Sequence, residues 1–238
     1  MLRQLFGKKV LLDNLDNPNI VSVNLSIQNQ YLITELKKHN IAYKIRNVAF
    51  FDHFPSNLNH QGIVINIKDE AKFKTLDTFI EFIDNKSIAT VLIIDSIQDP
   101  QNFGSILRTC DGMNVSAVIY KKNNQVQIND FVSKVSMGAI QYLNLIKVPN
   151  LIQAIEKLKK AGFWTYASLL TTTAVTYTQI KFASKSIIIV GSEEKGISPL
   201  LAKQADFQIK IPMYGKVQSL NVAVATGIIL SEINRQNN

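Results

Sequence analysis

From residue 89 onward the chain alternates short apolar runs with amphipathic ones, and this alternation constrains the fold more than any other feature. "TVLIID", "VSAVIY", "YLNLIKV", "FWTYASLL", "SIIIVG" and "FQIKI" are rich in β-branched and aromatic residues and are bounded by turn residues. Such runs predict buried strands. "NFGSILRTCDGM", "NLIQAIEKLKKAG", "SPLLAKQA" and "LNVAVATGIILSEINR" have helical spacing, and Gly162 closes the second of them. Apolar strands alternating with helices build a parallel sheet covered on both faces, the α/β class. Ligands of such sheets bind beyond the carboxyl ends of the strands.

The first 67 residues mix the two periods. "GKKVLLDNL" predicts a helix, "IVSVNL" a strand and "GIVINIK" a strand of alternating faces. "SIQNQYLITELKKHN" predicts a helix opened by Ser26 and closed by Asn40. The charged stretch "DEAKFKTLDTFIEFIDNKS" is helix-like and reads as a linker or a connecting helix, with the domain boundary within residues 68–88. The expected division is a small domain over 1–70, a linker over 71–88 and a main domain over 89–238. No internal repeat or low-complexity tract interrupts it.

Charge narrows the partners. The net charge is +8, with four arginines, Arg3, Arg46, Arg108 and Arg235, among 26 basic residues. Residues 1–90 hold 11 basic and 9 acidic side chains, so +2; residues 91–238 hold 15 and 9, so +6. A basic surface attracts phosphate backbones. The single cysteine, Cys110, excludes an internal disulfide and fits a reducing compartment. No apolar run reaches the ~20 residues of a membrane span. "MLRQLFGKKV" lacks a secretory h-region. A soluble, cytoplasmic protein is expected.

Three polar loops follow three of the strands. "DSIQDPQNFGSILRTC" sets Asn102 near a helix start and Arg108 among Ile106, Leu107 and Cys110. Taken alone, Asn102 reads as a helix cap and Arg108 as a snorkelling surface residue. "GSEEKGIS" brackets two carboxylates and a lysine between Gly191 and Gly196. It has neither the GK[ST] of a P-loop nor the middle glycine of a dinucleotide fingerprint, which excludes a nicotinamide dehydrogenase. "IPMYGKVQSLNVAVA" places Ser219 as the expected cap of the last helix and Asn221 just inside it, where asparagine is a poor helix former. Three polar loops at one end of one sheet point to a site.

In order and spacing, "DSIQDPQNFGSILRTCDGM", "IIIVGSEEKGIS" and "IPMYGKVQSLNVAVA" resemble the three motifs of the SpoU (TrmH-type) group of the SPOUT RNA 2′-O-ribose methyltransferases. "LFGKKVLLDNL" and "HQGIVINI" resemble the ends of the small substrate-binding domain of that group's longer members. The resemblance implies a ribosomal-protein-like α/β/α domain followed by a parallel-sheet domain with a C-terminal trefoil knot. It also implies a homodimer, with S-adenosylmethionine held by Gly191, Ile211 and Leu220, and no metal. The two-domain layout favours 23S rRNA and a guanosine target. The alternatives are a tRNA 2′-O-methyltransferase and a catalytically inactive RNA-binding assembly factor.

The resemblance places the catalytic arginine on Arg108. The chemistry must align the ribose oxygen with a sulfonium methyl and remove a proton. The loops contain no histidine, which leaves Asn102, Arg108, Glu193, Ser219 and Asn221. Arginine stays protonated as a rule. Arg108 therefore reads as a clamp on the target phosphate or an aid to forming the 2′-oxyanion, with a strongly perturbed arginine as the other option. Asn102 would orient the ribose or Arg108, Glu193 would balance charge, and Ser219 and Asn221 would hold loop and substrate. Two positions depart from the family pattern: Ala223, where serine is usual, and Glu194, often glycine. His60 and Gln61 read as a turn before an edge strand or as an RNA contact. Lys121, Lys122 and "EKLKK" read as solvated faces.

Overall fold

A computed structural model of the chain describes residues 2–26, 29–54, 60–68, 75–123, 125–192 and 195–237. The chain forms two compact units, residues 1–71 and 72–238.

The first unit runs β1 (Leu2–Phe6), α1 (Lys8–Leu12), β2 (Ile20–Leu25), α2 (Gln30–Lys38), β3 (Tyr43–Ile45), α3 (Val48–Phe51) and β4 (Ile63–Lys68). Its sheet has the order β1-β4-β2-β3; β4 is antiparallel to both neighbours and β3 is parallel to β2. Leu32, Ile33 and Leu36 of α2 are buried with Leu11, Val23, Leu25 and Ile65. Asn29, not Ser26, caps α2: its Oδ1 accepts from the Leu32 N–H at 3.2 Å. Asn40 ends the helix in the left-handed region, φ 54°. The following N–H groups of Asn40 and Ile41 return to the carbonyls of Lys37 and Leu36, a Schellman closure.

The turn before β4 uses its polar side chains internally. His60 Nδ1 accepts from the Gly62 N–H at 2.9 Å, and Gln61 Oε1 accepts from the Lys8 N–H at 3.1 Å, at the start of α1. Gly62 has φ 67°, and a Cβ there would collide with the Ser26 side chain. The strand that follows lies between β1 and β2, so it is not the edge strand expected.

The second unit runs α4 (Leu76–Asp84), β5 (Ala89–Asp95), α5 (Pro100–Gly112), β6 (Ala117–Lys121), α6 (Asp130–Val135), β7 (Leu145–Val148), α7 (Leu151–Lys160), β8 (Trp164–Ser168), β9 (Val175–Thr176), β10 (Lys185–Gly191), α8 (Pro199–Ala202), β11 (Phe207–Lys210) and α9 (Val222–Asn237). Seven strands in the order β7-β6-β5-β10-β8-β11-β9 form one sheet, parallel at every pairing. Alternate residues of the central strands feed two cores. Leu92, Ile94, Ile188 and Val190 pack with α5 and α9 on one face; Val91, Ile93, Ile187 and Ile189 pack with α4 and α7 on the other.

Helix α4 lies inside the stretch expected as a linker. Leu76, Phe79 and Ile83 are buried in the second unit's core, so this helix covers the sheet. Gly104 lets α5 and α6 approach closely: a Cβ there would press on Val135 of α6 at 2.7 Å. Among the described residues no helix is long and apolar enough to cross a membrane. Phe79→Ala is expected to destabilise the second unit by about 3–5 kcal/mol, read from the urea unfolding midpoint.

Candidate active site

The carboxyl ends of the two central strands meet at one register pair, Asp95 on β5 and Gly191 on β10. Asp95 is 2% exposed. Its Oδ1 accepts from Lys121 Nζ at 2.9 Å and from the Ser96 hydroxyl at 3.0 Å, and its Oδ2 accepts from the Ser198 N–H at 2.9 Å. One carboxylate thus joins the ends of β5 and β6 to the loop between β10 and α8. Burial alone would raise its pKa. The bonds from Lys121 and Ser198 and the Lys121 charge outweigh that and hold Asp95 below the ordinary carboxylate value. Neither Asp95 nor Lys121 was singled out as a site residue in the sequence. Lys121, expected on a solvated face, is half-buried in this ion pair. The legible signal was an aspartate ending an apolar strand beside a strand that ends in lysine.

Gly191 stands where a side chain has no room. A Cβ on it would collide with the backbone of Gly196 and Ile197. The loop is closed by two backbone bonds, Ser192 N–H to the Gly196 carbonyl at 3.1 Å and Gly196 N–H to the Ser192 carbonyl at 2.9 Å. Gly196 turns the chain at φ 62°. The expected roles of Glu193 and Glu194 fall outside the described residues.

The third loop corrects the assignment of the cap. Helix α9 starts at Val222, so Asn221 precedes it and is not inside it. Asn221 Oδ1 accepts from the Ala223 N–H at 2.9 Å and the Val224 N–H at 3.4 Å. Asparagine is among the favoured caps, which removes the puzzle of a poor helix former in a helix. Ser219, expected as the cap, is exposed in the loop two residues earlier. In the first loop the cap is likewise not Asn102 but Asp99, whose Oδ1 accepts from the Gln101 N–H at 2.9 Å, with Pro100 as the first helical residue.

Those two asparagines are joined. Asn221 Nδ2 donates to Asn102 Oδ1 at 2.8 Å, across 119 residues of sequence. The cap decides the orientation of both amides. Asn221 must turn its oxygen to the helix N–H groups, so its amino group faces Asn102. Asn102 then presents its oxygen to Asn221. Ala223 fills the family's usual serine position with a buried methyl, and its backbone N–H still reaches the cap.

Arg108 is exposed on α5, although Ile106, Leu107 and Cys110 around it are fully buried. Among the described residues, no hydrogen bond or ion pair joins it to Asn102, Ser219 or Asn221. Ile211 is half-buried against the core, and Leu220 lies at the surface with Tyr214 and Val217. Burial pushes the Cys110 thiol up, which makes it an inert packing residue. The structure thus brings together Asn102 with Asn221, and Gly191 with the Asp95 cluster.

Residues 89–231 match the SpoU rRNA Methylase family. The chain belongs to that family. An uncharacterized tRNA/rRNA methyltransferase of Mycoplasma pneumoniae is 44% identical over 229 residues, covering 95% of this chain and 94% of the relative. The crystal structure of the A. aeolicus TrmH/SpoU tRNA modifying enzyme is 33% identical with a TM-score of 0.59, covering 68% of this chain and 82% of that one. The AdoMet-bound rRNA methyltransferase of Sinorhizobium meliloti shares the fold at 23% identity and a TM-score of 0.69, covering 98% and 87%. In this SpoU family member the seven-stranded sheet, the glycine loop and the α9 cap occupy the matched region.

Two outcomes are expected from this geometry. Asp95→Ala leaves Lys121 half-buried without its partner and costs about 3 kcal/mol in urea unfolding at pH 7. The depressed folded pKa makes this contribution complete above the unfolded carboxylate value of about 4, and it is lost as pH falls further. The gap between wild type and Asp95→Asn therefore narrows on acidification below pH ~4. Separately, Asn221→Ala costs about 1 kcal/mol as a lost cap. A double-mutant cycle with Asn102→Ala gives a coupling of about 0.5–1.5 kcal/mol.

Proposed function

We propose that this protein is an S-adenosylmethionine-dependent RNA 2′-O-ribose methyltransferase whose target is a guanosine of 23S rRNA. RNA methyl transfer is the activity its family membership supports. The observation that carries the site reading is the Asn102–Asn221 pair, which ties the first polar loop to the third at the carboxyl end of the sheet.

The residues present fit the cofactor. Gly191 offers bare backbone at the end of β10, packed so closely on Gly196 and Ile197 that a Cβ has no room, and Gly196 turns the loop with a positive φ. Ile211 and Leu220 supply apolar walls, and backbone groups with apolar walls suit an adenine. Gly191, Ile211 and Leu220 are the residues that hold it. When bound, S-adenosylmethionine supplies an electrophilic methyl group. The chain does the rest. Arg108, an exposed cation beside a buried apolar face, clamps the phosphate next to the target ribose. Asn102, held through its oxygen by Asn221, orients the ribose or Arg108. Ser219 and Glu193 complete the loops, Ser219 as a hydroxyl at the rim and Glu193 as a charge against the cations.

The remaining assignments follow from the same reading. Residues 1–70 bind the RNA substrate; there Arg46 donates to Asn24 at 3.0 Å and lies over the Phe50 ring. The protein works as a cytoplasmic homodimer, for which half-exposed Val224 beside Gly227 on α9 gives an apolar contact face. The chain beyond Gly191 threads the trefoil knot. A tRNA target is the second reading, favoured by the name of the A. aeolicus structure.

The test is transfer of labelled methyl from S-adenosylmethionine to total RNA of a strain lacking the protein. Label is expected in 23S rRNA, at a linkage that resists alkaline hydrolysis because its 2′-oxygen is capped. Label in tRNA selects the second reading, and an alkali-labile linkage moves the methyl to the base. Arg108→Ala is expected to lower kcat/KM about 100-fold with unfolding unchanged. Binding of RNA without any transfer, to naked rRNA and to ribosomal precursors alike, supports an assembly factor.

A further inference from the structure

We propose that the open groove at the amino-terminal ends of β8, β10 and β11 is a stacking site for an unpaired base of RNA. It lies at the opposite end of the sheet from Gly191 and Ile211, so it is separate from the methyl-transfer site. It rests on the reading above only in taking RNA as the partner.

The groove is floored by an aromatic ladder. Phe207 is the register partner of Tyr166, and Trp164 stands two residues earlier on the same face of β8. Tyr166 and Phe207 are stacked, with centroids 5.2 Å apart and 13° between planes. Trp164 lies beside Phe207 at 5.9 Å and 34°. Tyr166 is buried against Phe182, as a core residue should be. Trp164 is not: it is 51% exposed, and Phe207 is 39% exposed. Two neighbouring aromatic rings left half in water offer a flat apolar surface that any π-face covers.

The lining selects the occupant. Lys181 flanks the rings as an exposed cation, Arg235 stands at the edge already paired with Glu232, and no carboxylate lines the groove among the described residues. The two acids beside it in sequence are already compensated. Glu232 gives both oxygens to Arg235, at 2.8 and 2.7 Å. Asp206 accepts from Lys159 at 2.6 Å and from the Thr165 N–H at 2.8 Å. An aromatic floor with Lys181 at its rim suits a base on the rings and a phosphate at the edge. Its volume of about 930 Å³ admits a nucleotide, and its open side lets the strand continue.

Trp164 is the only tryptophan of the chain, so its emission reports on this groove directly. The full-length protein is titrated with a short single-stranded oligoribonucleotide, with dye-labelled oligonucleotide anisotropy followed in parallel. Saturable quenching with the same midpoint as the anisotropy is expected, while a duplex of the same sequence leaves the emission unchanged. Phe207→Ala is expected to weaken the quenching interaction about tenfold, and exposed Lys181→Ala, which leaves the core intact, about threefold. RNA binding with Trp164 emission unchanged overturns the proposal. So do unchanged affinity in Lys181→Ala, equal quenching by duplex, or emission that follows protein concentration without RNA, which marks a second copy on the groove. None of these readouts needs methyl transfer, so a failed stacking site and a failed methyltransferase assignment are told apart.

Discussion

The carboxylate of Asp95 sits at the end of the central strand with almost no access to water, and its bonds set the spacing of the loops around it. A buried charge is costly unless it is paired and fully hydrogen-bonded. Lys121, Ser96 and Ser198 meet that demand from three separate stretches of chain. The ends of β5 and β6 and the loop after β10 are thereby held together. Gly191 is the register partner of Asp95, so the crowded backbone of the glycine loop is fixed by the same cluster.

A second constraint acts from the other side of the site. Asn221 combines two duties that are usually separate. Its oxygen caps a 16-residue helix and its nitrogen orients Asn102. The first duty makes the second one-sided, because a cap admits only one orientation of the amide. The orientation of Asn102 is therefore set by helix capping, through a bond between residues far apart in sequence. This arrangement gives precise placement without a charged residue, which suits a reaction whose electrophile is already cationic.

The sheet places two kinds of surface at its two ends. Polar loops and backbone gather at the carboxyl end, as expected for open parallel sheets. Aromatic rings and cations gather at the amino end, where β8 and β11 begin. At the amino end the exposed cation is Lys181, since Arg235 is paired with Glu232.

The apolar runs determined the main strands and long helices of the second unit by themselves, because burial on both faces requires unbroken hydrophobic stretches. The three loops were legible for a related reason: polar residues between such runs must lie where the strands end. Shorter elements were not legible. Strands β3 and β9 have only three and two residues, and β1 and α6, though longer, lack a clear apolar pattern, so tertiary contacts decide all four. Helix caps were misread three times, at Ser26, Asn102 and Ser219, because serine and asparagine both cap well and only the path of the chain decides which one reaches the helix N–H groups. Helix α4 looked like a linker since its charges hide a buried face. The pairing of Lys121 with Asp95, and of Asn221 with Asn102, belongs to the tertiary structure alone. No local pattern encodes a contact between strands and helices that meet only after the sheet has formed.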